Sequence, residues 1–239
     1  LIFHVRASYY DETALIVRQL VNLGIKKIAV FYQNDAYGKA GLDGVNKALA
    51  EHKLPLAGAA TVERNSVDVA AAVEKLVAAK PDAVVQIAAY GASAAFVRAA
   101  RKAGFGGTFY NVSFVGTQAL ADELGKDGAG VVVSQVVPSP YQPSRQITRE
   151  FLDAIKKAGD KVQPNYSSME GYVAARVFTE GLRQAQASGK ITRESFITGT
   201  ESIGNHVISG FAVSFSATSH AASKFVEMSM LTGDGRVRT

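Results

Sequence analysis

Short apolar runs alternate with helical spacings of apolar residues through the first part of the chain. Ile16, Leu20 and Leu23 recur at helical spacing and Gly24 supplies the stop. Ile28-Ala29-Val30-Phe31-Tyr32 then reads as a strand with both faces buried. A helix follows from Gly38 to Glu51, with Leu42, Val45 and Leu49 on one face. Ala57 to Val62 is a short strand. In the next helix, which Asn65 or Ser66 is expected to cap, Val69, Val73 and Leu76 line up. Strands follow at Ala83 to Ile87, Thr108 to Val112 and Gly130 to Val136, with a helix from Ser93 to Ala103 and a short one before the last strand. Strands that are apolar on both faces, joined by amphipathic helices, predict a parallel sheet covered on both sides with right-handed crossovers. In such sheets ligands collect at the carboxyl ends of the strands, here the loops opening near Gln33, Ala89, Asn111 and Gln135.

The pattern changes after Val137. Pro138-Ser139-Pro140-Tyr141-Gln142-Pro143 is a stiff extended segment, because each proline fixes its own φ and restricts its predecessor. It marks a domain boundary. Two long helical patterns follow, Ser144 to Ala158 and Ser168 to Ala187, with no strand between them. Strand-like runs at Gly210 to Phe215 and Lys224 to Met230 end the chain. Two helices without a sheet make a poor domain, so this region is expected to belong to something larger.

Composition narrows the function. The 239 residues are 47% hydrophobic and 20% charged, ordinary for a globular protein. No apolar run reaches the roughly 18 residues that a membrane helix needs. With no cysteine, disulfides, thiolate metal sites and thiol nucleophiles are excluded. The net charge is +5, but the 26 Lys and Arg are scattered among 21 acids and no stretch interleaves bases with aromatics, so no nucleic-acid partner is expected. The opening Leu1-Ile2-Phe3-His4-Val5-Arg6 reads like the middle of a strand and carries no signal pattern, which leads us to expect further sequence upstream.

No catalytic or metal constellation stands out. His4, His52, His206 and His220 are scattered and fit no ligand spacing. Ser113 lacks the flanking glycines of a nucleophile elbow, Asn111 and Val115 standing there instead. The first strand is followed by Asn34-Asp35-Ala36-Tyr37 rather than by the glycines of a dinucleotide site. Asp35 sits where a receiver domain carries its phosphoacceptor, but the acidic pair and the lysine of that site are missing, so Asp35 is taken as a turn-former or helix cap. Neither catalysis nor a cofactor is therefore expected.

Several stretches fit one known pattern in order and spacing. They are Arg6-Ala7-Ser8-Tyr9-Tyr10-Asp11-Glu12-Thr13, Gly24-Ile25-Lys26-Lys27-Ile28-Ala29-Val30 and Asn34-Asp35-Ala36-Tyr37-Gly38, with Lys80-Pro81-Asp82-Ala83-Val84, Gly130-Val131-Val132-Val133-Ser134 and Met169-Glu170-Gly171-Tyr172-Val173-Ala174-Ala175 further on. Over almost its whole length the chain resembles the C-terminal two-thirds of periplasmic solute-binding proteins of the branched-chain amino acid (Leu/Ile/Val-binding) family. The resemblance implies an α/β chain of two doubly wound parallel-sheet lobes, the type I periplasmic-binding fold, with the first lobe incomplete. About one lobe's sheet, on the order of 100 residues, would be missing. It divides the chain at 1–24 (end of the N-terminal lobe and first crossover), 25–137 (C-terminal lobe), 138–205 (remainder of the N-terminal lobe) and 206–239 (return crossover and final strands).

The same resemblance implies a periplasmic protein that closes on a small molecule and delivers it to an ABC importer permease in the inner membrane, without a cofactor. A sensor domain of the same fold is the alternative; neighbouring permease and ATPase genes would favour transport. Ligand-facing positions carried over are Tyr37, Tyr90, Ser113, Phe114 and Tyr141, while Glu170 is expected to act as scaffold near the hinge. Relatives that bind amino acids place at the Ser113 position a carboxylate for the ligand ammonium. A buried ammonium without a counter-ion costs several kcal/mol. The neutral serine therefore predicts an aromatic or other organic acid rather than an α-amino acid, with Tyr32, Tyr110 and Phe114 nearby to suit a planar body. An intertwined homo-oligomer is a further expectation, to cover apolar helix faces around Val173, Val177 and Leu182.

Overall fold

The computed structural model describes residues 1–159, 162–187 and 189–239. It divides into a helical unit, Leu1–Ala7 with Val136–Phe225, and a sheet unit, Ser8–Gln135 with Val226–Thr239. Two of these boundaries differ from those expected. The first falls at Ser8 rather than after Gly24, because the helix α1 (Tyr9–Asn22) buries Ile16, Val17 and Leu20 in one core with Ile28, Val30 and Val45. The last falls after Phe225 rather than before residue 206, because Ser214 bonds Ala222 and Ala222 bonds His4, so this stretch is tied to the amino-terminal segment.

In the sheet unit the strands are β1 (Ile28–Gln33), β2 (Gly58–Val62), β3 (Ala83–Ile87), β4 (Thr108–Asn111), β5 (Val132–Gln135), β8 (Glu227–Leu231) and β9 (Val237–Arg238). They lie in the order β2-β1-β3-β4-β5-β8-β9, parallel from β2 through β5 and antiparallel beyond. The near-continuous burial of β1 and β3 follows from helices on both faces. On one face α1 and α2 (Ala36–Glu51) pack over Ile28, Val30, Val85, Ile87 and Tyr110. On the other, α3 (Ala70–Ala78), α4 (Tyr90–Lys102) and α5 (Thr117–Leu124) pack over Phe31, Val84, Phe109 and Val133.

Caps explain several helix starts. Ser8 and Asp11 form a reciprocal capping box on α1, and Asp35 accepts the Gly38 amide at 3.0 Å to cap α2, the role expected of it. The Gly38 N–H is also the main reason the Asp35 carboxyl is held below its ordinary pKa. Neither Asn65 nor Ser66 caps α3. Its N-cap is Val69, without a side-chain bond, while Asn65 takes a left-handed φ of 61° and Ser66 Oγ accepts the Asp68 amide at 3.1 Å, so both shape the preceding turn.

The helical unit contains α6 (Gln146–Ala158), α7 (Tyr166–Ala187), α8 (Arg193–Glu201) and the hairpin β6 (Gly204–Ile208)–β7 (Phe211–Phe215). The hairpin turns on Ser209 and Gly210, both with positive φ, as a two-residue primed turn requires. Val173 and Val177, expected to be exposed, are buried in the unit, since α7 packs against α6 and α8. The exposed ring on α7 is Phe178, which leans on Phe196. Glu170, expected to act as scaffold, pairs with the Arg6 guanidinium at 3.1 Å.

Glu150 on α6 ties this unit together. It accepts from Ser209 Oγ at 2.7 Å and pairs with Arg176 of α7, which also donates to Tyr172 Oη at 2.9 Å. The Ser209 hydroxyl first, and then Arg176, hold the Glu150 carboxyl well down, at about 2 against an ordinary 4.5. A lowered folded-state value contributes stability above the unfolded pKa, which is lost as pH falls through the folded one. With both partners about one-third exposed, solvent screening reduces the effect to about 1 kcal/mol. E150Q is therefore expected to melt below the wild type at neutral pH. The gap should close as pH falls from 4.5 towards 2; a gap independent of pH in melting curves would contradict the assignment.

Candidate ligand-binding site

The parallel strands all end on one edge, and their following loops carry most of the positions singled out in the sequence. Tyr37 lies in the first turn of α2, directly after β1 and its Asp35 cap. Its ring stands 5.2 Å from Tyr9 and 5.1 Å from Phe114. Phe114 sits in a 3₁₀ turn, Ser113–Val115, that leaves β4, and its side chain is 60% exposed. Tyr90 opens α4 at the end of β3 and is 46% exposed. Its strand, β3, lies between β1 and β4 in the sheet. Val67, in the loop after β2, is also exposed and approaches Gly91, where an added Cβ would come within 3.8 Å of it. Exposed apolar side chains thus gather on one edge of one sheet, an arrangement that marks a binding surface more often than chance.

Beneath this edge lies a carboxylate to which the sequence pattern alone assigned no role. Glu12, in the first turn of α1, is fully buried. It accepts from the Ser113 amide at 2.7 Å, the Ser113 hydroxyl at 3.0 Å and the Ser134 hydroxyl at 2.6 Å. Ser134 is on β5 and also lies 3.3 Å from the Asn111 carbonyl. A signal for Glu12 was present: it stands four residues before Ile16 and eight before Leu20, on the apolar stripe of α1, where an acid has no place unless it is bonded.

Tyr37, Tyr90, Ser113 and Phe114 are therefore brought to one edge of the sheet unit. Tyr141 belongs to the helical unit, where its ring packs edge-on to Tyr166 at 5.9 Å. Of the other aromatics weighed, Tyr110 is core and Tyr32 packs against the α1–α2 core. The helical unit has its own cavity of about 630 Å³ along the β6–β7 hairpin, bounded by Arg145, His206, Phe211, Lys224 and Phe225, which holds none of the candidate residues. Among the described residues no cluster of three or more His, Cys, Asp or Glu is arranged to hold a metal, and no helix is long and apolar enough to cross a membrane.

A family model described as periplasmic binding protein matches residues 1–234. The chain belongs to the periplasmic binding protein family. Among solved structures, a substrate-binding periplasmic protein from Ralstonia solanacearum is 32% identical, with a TM-score of 0.88 over 100% of this chain and 68% of its own. A possible leucine/isoleucine/valine-binding protein from Rhodopirellula baltica SH 1 is 31% identical, with a TM-score of 0.89 over 98% of this chain and 64% of its own. A branched chain amino acid ABC transporter protein from Thermus thermophilus, solved with bound valine, has a TM-score of 0.84 over 99% of this chain and 65% of its own, but at 18% identity it supports the fold alone. No curated protein sequence matches significantly. The chain has the type I periplasmic-binding fold and spans about two-thirds of the length of these solved family members.

Proposed function

We propose that this periplasmic binding protein captures a small carboxylate-bearing ligand with an apolar body, outside the cytoplasm, and hands it to an ABC importer permease. Tyr37, Tyr90, Ser113 and Phe114 are its proposed contacts on the sheet unit; Tyr141 is a separate candidate on the helical unit. The observation that carries the reading is the row of Val67, Tyr37, Tyr90 and Phe114 along the carboxyl edge of the sheet, where open α/β folds bind ligands.

Two features bear on the ligand class and pull in opposite directions. The neutral side chain at position 113 favours an aromatic or other organic acid over an α-amino acid. The buried Glu12 carboxylate, one hydrogen bond behind it, lowers the cost of placing an ammonium there. A thermal-shift screen of the chain against aromatic acids, aliphatic acids and amino acids decides between them. A ligand at 100 times its dissociation constant stabilises by about 2.7 kcal/mol. Shifts with organic acids and none with leucine or valine are expected from the neutral serine. Shifts with leucine or valine keep the binding role and overturn the preference for acids, and no shift with any of the three classes overturns the binding role.

A further inference from the structure

The cavity of the helical unit has a chemistry of its own. Its floor is the exposed face of the β6–β7 hairpin. Asn205 stands opposite Ser214 and Val207 opposite Ala212 in the ladder, so strand alternation puts these four side chains on one face. His206 alternates to the other face with Val213; there it acts, after Gln184 and Arg183, to hold the Glu180 carboxyl below its ordinary pKa. Phe225 adds an aromatic wall. It meets Phe211 edge-on with ring centroids 5.9 Å apart, and the Arg145 guanidinium lies over its ring at 5.2 Å. The Ser214 hydroxyl donates to Asn205 Oδ1 at 2.7 Å. With that oxygen engaged, the NH₂ group of Asn205 is the side left for a ligand. Lys224 also lines the cavity and is exposed, and its ammonium has no ion pair or hydrogen bond among the described residues. No Asp or Glu is among the residues that bound the space. Its volume of about 630 Å³ is that of an ordinary small-molecule site.

We propose that this cavity is a second small-molecule site, for an organic anion with a flat apolar body. Lys224 and the Asn205 amide hold the carboxylate, and the body lies against Phe225 and the Val207–Ala212 floor. An exposed apolar floor beside an ammonium and an amide donor, with no acid to compete, is complementary to a carboxylate on a ring. The charge required is that of Lys224; Arg145 enters only as the group over the Phe225 ring. The site uses no residue of the sheet unit, so it stands or falls apart from the binding role proposed for the carboxyl edge.

The test is an NMR titration of the full isotope-labelled chain with benzoate and 3-phenylpropanoate. Their primary amides keep the shape without the charge, and inorganic phosphate keeps the charge without the ring. Each acid is expected to shift the backbone amides of Asn205, Val207, Ala212 and Lys224 in a saturable way. Its amide should bind roughly tenfold more weakly, the worth of a hydrogen bond to a charged group. K224Q should erase that ratio by weakening the acids while leaving the amides as they were. A212W, a change at an exposed strand position, should block all four organic probes, and an otherwise unchanged spectrum shows that it folds. Equal binding of acid and amide by the wild type would overturn the proposal. So would a response to phosphate as strong as that to benzoate, which is what a bare basic surface gives. Location separates the two sites. Shifts confined to the loops of Tyr37, Tyr90 and Phe114 sink the second site and leave the carboxyl edge standing, and shifts confined to the hairpin do the reverse for these acids. No shift at the hairpin with either acid defeats the second site, whatever the edge does.

Discussion

G38A is expected to leave little folded protein at room temperature. Gly38 lies in the first turn of α2, where the helix crosses the end of β1. A Cβ built there would stand 1.9 Å from the Gln33 carbonyl oxygen and 2.8 Å from its carbon and nitrogen. All three atoms are backbone and are held by the β1 pairings to β2 and β3, so no side-chain rotation relieves the clash. Either α2 lifts from the sheet, or the loop carrying the Asp35 cap is rebuilt. Overpacking that side chains can absorb costs about 1–3 kcal/mol. A clash with fixed backbone exceeds that range and should cost roughly 4 kcal/mol or more, a large share of the stability of an ordinary domain. G171A supplies the contrast. Gly171 is exposed within α7, a methyl added there would meet nothing within 4 Å, and alanine should be neutral or stabilising by up to about 1 kcal/mol. Urea titrations of the two variants check both statements, and a G38A protein as stable as wild type would mean that α2 does not approach β1 as described.

How much of this was legible in the sequence depends on whether the cause is local. β1 and β3 stand out as runs of β-branched and apolar residues because helices cover both of their faces. The helices from α2 to α4 were readable for the same reason, and Asp35 as a cap needed only its neighbours. What escaped was set at long range. β6 has three exposed residues in the middle and is a strand because β7 pairs with it across a two-residue turn. β8 joins the sheet by pairing with β5, nearly a hundred residues earlier. The division into units follows from which core α1 enters, and its apolar stripe names a buried face without naming the partner.

The site shows the same split. Aromatics after strand ends could be placed on the carboxyl edge of the sheet from their positions alone. The role of Glu12 could not, because its partners at positions 113 and 134 lie 101 and 122 residues away. Ser113 read alone argues for a neutral wall; the structure adds a buried acid, Glu12, hydrogen-bonded to its amide and hydroxyl.

F96A is the second large loss we expect, and with F114A it separates what holds the sheet unit together from what binds. Phe96, on α4, is buried and stacks on Phe31 of β1 with ring centroids 4.2 Å apart and planes 17° from parallel. It meets Phe109 of β4 edge-on at 6.3 Å; Phe109 in turn meets Phe105 at 5.1 Å and lies under Arg101 at 5.6 Å. One ring therefore bridges two strands and the helix whose first residue is Tyr90. Truncating a buried phenylalanine costs about 3–5 kcal/mol, from lost transfer energy and the cavity left behind. The stacked geometry adds up to about 1.5 kcal/mol beyond area alone, so F96A should fall towards the upper end of that range. Its urea midpoint should drop with the slope unchanged, as for a loss of stability without a change in the surface exposed. F114A removes a ring of the same size from the same unit, but that ring is 60% exposed and leans on Tyr37 without filling a core. Its stability should stay within about 0.5 kcal/mol of wild type. Its effect should appear instead as weaker ligand-induced stabilisation, because the ring belongs to the proposed binding edge. If F114A destabilised the protein as much as F96A, Phe114 would be core, and the apolar edge on which the binding role is proposed would lose its most exposed ring.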